Sequence, residues 1–206
     1  MEQFKEFLTI FIPLLIIMDP LGNLPFFILF TRDKSPQDKR RVALVASSAS
    51  CLILILFAAT GNMILSFFHV SLPAFQLAGG LIFFIYALQM LGLLPSGIKT
   101  SSEEEQEGIE KESVALVPLA TPLLAGPGAI TAVLVWREDM ASSLPFFSLF
   151  LAIFASCFIS YLVFRFDQII SNVLGVGGIR VLTRLMGLLL AVIAVQFIVR
   201  GLEQIT

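Results

Sequence analysis

Charge is scarce in this chain. Of 206 residues only 14% are Asp, Glu, Lys or Arg, against roughly a quarter in an ordinary soluble domain, so a water-facing exterior cannot be assembled from it. Histidine occurs once, at His69, which excludes the paired-histidine motif of a metalloprotease. Asp19 is the one carboxylate near the middle of an apolar segment, whereas an aspartyl protease needs two sharing a site. With no Walker-type phosphate loop, this chain alone carries no ATP-driven pump, and no enzymatic activity is expected. A net charge of −2 without a basic stripe leaves nothing to track a phosphate backbone, so no nucleic-acid partner is expected. The only two cysteines, Cys51 and Cys157, fall in apolar surroundings and read as inert packing residues.

What is abundant is apolar surface. The chain is 57% hydrophobic with a mean hydropathy of +0.94, and 42–98, 113–136 and 140–164 carry no Asp, Glu, Lys or Arg. One bilayer crossing takes about 20 apolar residues, so the first run holds two. Continuous Leu/Ile/Phe blocks are not the alternating ten-residue strands of a β-barrel. The pattern predicts an all-α membrane protein with six transmembrane helices at 4–30, 42–67, 72–94, 114–136, 144–164 and 181–199. The sixth is the shortest: its charge-free part, 185–199, rises only about 22 Å, so Arg184 and Arg200 must snorkel. Nothing at the N-terminus resembles a cleavable signal, and the first span is expected to be retained.

Ten of the 13 basic residues fall on one side of these spans: Arg32 to Arg41 after span one, Lys99 and Lys111 after span three, and Arg165, Arg180 and Arg184 between spans five and six. The positive-inside rule puts that side in the cytoplasm and both termini outside, as in a multi-pass protein of the bacterial inner membrane. The linker 95–112, with "SSEEEQEGIEKE", becomes a cytoplasmic acidic loop. Asp167 and Arg165 are expected at the cytoplasmic edge as a solvated pair, and His69 at the outer interface.

The segment "DPLGNLP" (19–25) lies over "TPLLAGP" (121–127) at an offset of 102, with Asp19 on Thr121 and both prolines matched. "ASC" recurs at 49–51 and 155–157, and Gly80, Leu81, Ala87 and Gln89 match Gly187, Leu188, Ala194 and Gln196. These matches predict two three-helix repeats, 1–94 and 113–206, around the loop 95–112. Because three is odd, the second copy enters the membrane from the opposite side, an inverted arrangement with paired helix breaks near the midplane. Each proline removes an N–H and crowds the carbonyl four residues back, so helices one and four should break. Asp19 and Thr121 precede proline as helix caps do.

Each second half-helix would point its N-terminus, with unpaired N–H groups, at the centre, which favours an anion. The first half-helices would end there with free carbonyls, which favour a cation. Gly22, Gly126 and Gly128 allow close backbone approach. Together these features suit a small zwitterion. The candidate binding residues are Asp19, Gly22, Asn23, Thr121, Ala125, Gly126, Gly128 and Thr131. Asp19 reads either as a cap or as the contact for an ammonium, a coupling cation or a relayed proton. Asn23 and Thr121 divide between capping and ligand contact, and Gln89 and Gln196 read as interhelical hydrogen-bonding residues.

The stretches "MDPLGNLPFF", "PLATPLLAGPGAIT" and "RLMGLLLAVIAVQFI" resemble the MarC family of bacterial integral membrane proteins, whose characterised branch includes SnatA-like small neutral amino acid transporters. The resemblance covers essentially the whole chain. It implies six spans in two inverted halves and transport of glycine- or alanine-sized substrates. No cofactor is expected; a proton or sodium is the candidate coupling ion, the lipid bilayer and a small solute are the partners, and a homo-oligomer is a candidate assembly. The alternatives are an exporter or channel for another small solute, or a membrane scaffold or regulator without transport.

Overall fold

The computed structural model describes residues 2–67, 69–94, 115–139 and 146–204; the acidic linker 95–112 lies outside them. In chain order the described elements are α1 (Glu2–Met18), α2 (Leu24–Phe30), α3 (Pro36–Phe67), α4 (Leu72–Met90), a π-helix (Ala115–Leu124), α5 (Pro127–Asp139), α6 (Phe146–Arg165) and α7 (Asp167–Glu203). Among the described residues four stretches are long and apolar enough to cross a membrane: Pro36–Gly61, Pro73–Met90, Phe147–Arg165 and Asp167–Glu203. The regions expected as spans one and four are each split into two helices, at the proline motifs where a break is expected.

Local chemistry sets the helix starts. At α3, the Ser35 hydroxyl accepts from Asp38 N–H at 3.2 Å and bonds the Asp38 carboxylate at 2.6 Å, with Pro36 as the first helical residue. The serine oxygen caps the helix while its hydroxyl proton goes to the acid three residues on. Ser71 caps α4, accepting from Ala74 N–H at 3.4 Å. Two helices overrun the spans expected from charge. α3 begins at Pro36, not 42, and winds Lys39, Arg40 and Arg41 into its first turns. α7 bends at Gly175 (φ 60°, ψ 176°) and then continues through Arg180, Arg184 and Arg200, all exposed. From 176 to 203 it rises about 42 Å, so the helix runs well past both ends of the charge-free stretch 185–199.

The principal pairings are α4 with α7, α3 with α6, α1 with α5, α1 with α6, α3 with the π-helix and α5, α4 with α5, and α1 with α7. Each of these joins an element of 2–94 to one of 115–204. The α4–α7 seam shows this at atomic detail. A Cβ on Gly80 would stand 2.9 Å from Ala194 O and 3.0 Å from Ile198 N; one on Gly187 would stand 3.2 Å from Ala87 O and 3.3 Å from Leu91 N. Residue 80 meets 194 while 87 meets 187, so the two helices run antiparallel, and Gly201 against Pro73 O extends the seam. Small residues let the backbones approach this closely. Across α3 and α6 the Cys51 and Cys157 thiols lie beside each other.

The core includes Leu14, Met18, Phe27, Leu54, Phe83 and Phe164, all fully buried, and the Phe27 ring stacks on Phe164 at 4.6 Å to pin α2 to α6. The outside is equally apolar: Leu52 is 70% exposed, Met63 75% and Val173 78%. Such a surface calls for hydrocarbon as its solvent.

Candidate functional site

Proline disfavours the α conformation in the residue before it. α1 accordingly ends at Met18, one residue before the Asp19–Pro20 pair, and Asp19 turns left-handed at φ 40°. That conformation costs roughly 1–2 kcal/mol outside glycine, and Asp tolerates it because its side chain bonds locally. Here Asp19 Oδ1 accepts from Gly22 N–H at 3.0 Å. Glycine at 22 leaves room for that bond, since a Cβ there would lie 2.7 Å from the Asp19 carboxyl carbon and displace it. Asp19 therefore caps the turn that leads into α2 and not α2 itself.

Asn23 sits at the start of α2 without capping it. Its buried amide donates to Met18 O at 2.9 Å and to Leu123 O, one hundred residues along the chain, at 3.4 Å. Two carbonyls expected to stand free at the ends of the first half-helices are thus tied by one side chain, and the two breaks are tied to each other.

The second break is built differently. Pro118 and Pro122 have no N–H to give an α-helix, and the segment winds as a π-helix through Leu124, with Ala125 N–H reaching five residues back to Ala120 O at 2.8 Å. The helix then lets go at Ala125–Gly126, and Pro127 starts α5 at its preferred first position. Thr121 is expected at this break as a cap or a ligand contact. It lies inside the π-helix and is exposed, because the wider winding carries the chain past Pro122 before it breaks. The second half-helices start within one residue of register, α2 at Leu24 and α5 at Pro127.

Between the breaks lies a cavity of about 160 Å³. Asp19, Gly22 and Asn23 line it from one side, and Gly126, Gly128 and Ala129 from the other. Gly128 and Ala129 belong to the first turn of α5, where backbone N–H groups have no partner within the helix. Gly128 is also packed: a Cβ would stand 3.3 Å from Ile17 Cγ2 and 3.4 Å from Phe83 Cε1. Tyr86 and Gln89 of α4 and Thr183 of α7 complete the polar lining, and Ile17, Phe26 and Leu190 are among the apolar walls. A carboxylate and a helix N-terminus on one small cavity can neutralise opposite ends of a dipolar molecule. Among the described residues no group of three His, Cys, Asp or Glu comes together to hold a metal.

Five of the eight candidates therefore meet at one cavity: Asp19, Gly22, Asn23, Gly126 and Gly128. Ala125 is fully buried beside it, Thr121 faces outward, and Thr131 is buried against Gly79 of α4. Gln89 lines the cavity while its repeat mate Gln196 is exposed. Tyr86 and Thr183 were missed; neither carries a charge or sits in a motif, so nothing in the chain marks them. Asp167 is a correction of another kind. It is buried and pairs with Lys39 at 3.8 Å, while Arg165 lies 5.3 Å over the Phe166 ring.

A family model described as MarC family integral membrane protein matches residues 4–206. The chain is 37% identical to a UPF0056 membrane protein of Aquifex aeolicus over all of this chain and 96% of that one. It is 38% identical to a UPF0056 membrane protein of Methanocaldococcus jannaschii over 97% of each chain. Against the UPF0056 membrane protein YhcE of Escherichia coli identity is 34%, over 98% of this chain and 94% of that one. No solved structure matches it significantly. Nearly full-length agreement with these membrane proteins, on a chain with paired helix breaks and an apolar exterior, makes it a multi-pass member of the MarC family of integral membrane proteins.

Proposed function

We propose that this chain is a secondary transporter for small neutral amino acids of glycine or alanine size, bound near the membrane midplane between the two broken helices. The observation that carries the reading is the cavity itself, with the Asp19 carboxylate on one wall and the first turn of α5 on the other. Its volume of about 160 Å³ suits the substrate. A cavity of about 150 Å³ takes up benzene, which has as many heavy atoms as alanine. Among the described residues no Lys or Arg lines it, so a second carboxylate on the ligand would go unmatched.

The architecture we assign is six spans in two inverted repeats, 1–94 and 113–206, around the loop 95–112. The antiparallel α4–α7 seam with its reciprocal glycine contacts and the facing cysteines support it, since each is what a two-fold axis in the membrane plane requires. Both termini then face outward from the inner membrane. Asp19 takes the substrate ammonium or a coupling proton or sodium.

The test is flux of radiolabelled glycine and alanine into proteoliposomes, with and without proton or sodium gradients. We expect saturable uptake that one gradient drives uphill. Uptake of neither amino acid above empty liposomes, from protein shown to be folded, would reject the transporter reading in favour of a scaffold or of another solute.

A further inference from the structure

A second cavity, of about 270 Å³, lies away from the helix breaks, where the start of α3 meets the α6–α7 junction. Three cationic side chains line it: Lys39 and Arg40 from the first turns of α3, and Arg165 from the last turn of α6. Among the described residues the only acid on its wall is Asp167, which is engaged with Lys39 at 3.8 Å. Arg40 and Arg165 are left as excess positive charge. The 32-residue α3 adds the positive end of its dipole, since Pro36, its first residue, is also on the wall. Phe166, 43% exposed, and Ile169, 60% exposed, form an apolar wall beside the cations. Val173 and Val176 carry exposed apolar surface further along α7. The eight residues 167–174 are set off by the α6–α7 junction at Phe166 and the bend at Gly175.

We propose that this cavity binds the phosphate headgroup of an anionic phospholipid, with its acyl chains laid over Phe166, Ile169 and Val173. Charge selects the anion, and the apolar wall selects a lipid over free phosphate, which would gain nothing from Phe and Ile. The site sits at the ends of spans, among the basic residues that flank them, where headgroups lie. It requires neither transport nor a particular orientation of the chain.

Purified full-length protein in dodecyl maltoside, titrated with phosphatidylglycerol and with phosphatidylcholine, tests it by native mass spectrometry and thermal stability. Phosphatidylglycerol should bind at least about tenfold tighter, and Arg40→Gln/Arg165→Gln should weaken it by roughly ten- to thirtyfold, about one membrane-surface cation's contribution for each charge lost. Arg32→Gln/Arg180→Gln removes the same charge from residues that do not line the cavity and should change nothing. If the first double variant fails to fold, Arg40→Gln on its exposed side chain carries the comparison with Arg32→Gln. Equal binding of the two lipids, or equal losses in the two variants, overturns the proposal. Inorganic phosphate competing away the lipid at equal concentration overturns the lipid assignment.

Discussion

Asp19 combines two features that are costly at membrane depth: a left-handed backbone outside glycine and a carboxylate. Its bond from Gly22 N–H explains the backbone but uses only one carboxylate oxygen. Asp19→Asn separates the two roles, because the amide oxygen still accepts from Gly22 and the turn survives while the charge is lost. On the proposed reading the missing charge-assisted contact costs about 1.5–3 kcal/mol, so substrate affinity should fall roughly ten- to a hundredfold with little change in thermal stability. Substrate titration of the purified variant measures this. Parent-like affinity would leave Asp19 as a turn cap and nothing more.

At the scale of the helix pair, the α4–α7 seam leaves no room for side chains at its glycines. Valine at Gly80 or at Gly187 would press on the partner's backbone, and overpacking of this kind costs about 1–3 kcal/mol. The two contacts are reciprocal, so the two losses should be of similar size. Gly177→Val, where a Cβ meets nothing within 4 Å, should be tolerated; denaturant unfolding in detergent compares the three. The match of Gly80 with Gly187 was legible in the chain, and so were the break at Asp19–Pro20 and the start of α5 at Pro127, because proline acts through its own backbone. Helix ends set by capping were less legible. Ser35 starts α3 while the charge pattern placed the span at 42, since charge marks where lipid stops and not where a helix does. The π-winding that carries Thr121 away from the break was not legible, nor was the Asn23 amide reaching Leu123. Both depend on contacts or cumulative geometry that no local pattern encodes. The Lys39–Asp167 pair was hidden for the same reason: its partners are far apart in the chain, while Arg165 sits misleadingly close.

For the whole molecule, the basic residues and the antiparallel seam bear on one question, how the chain threads the bilayer. With Cys51 and Cys157 replaced by alanine, single cysteines at positions 2 and 204 should react with an impermeant maleimide added to intact cells, and one at position 105 should not. Labelling at 105 would invert the orientation we assign and remove the cytoplasmic acidic loop. One consequence of the site's construction belongs to this scale as well. A pocket shared evenly by two equivalent copies would accept a head-to-tail molecule equally well either way round. On the proposed duplication the copies differ where they meet: Asp19 answers to Thr121, Gly22 to Leu124 and Asn23 to Ala125, and Thr121 does not line the cavity. On that reading the mismatched residues give the pocket a polarity that the matched frame lacks, so the zwitterion we propose as substrate would have one way to face.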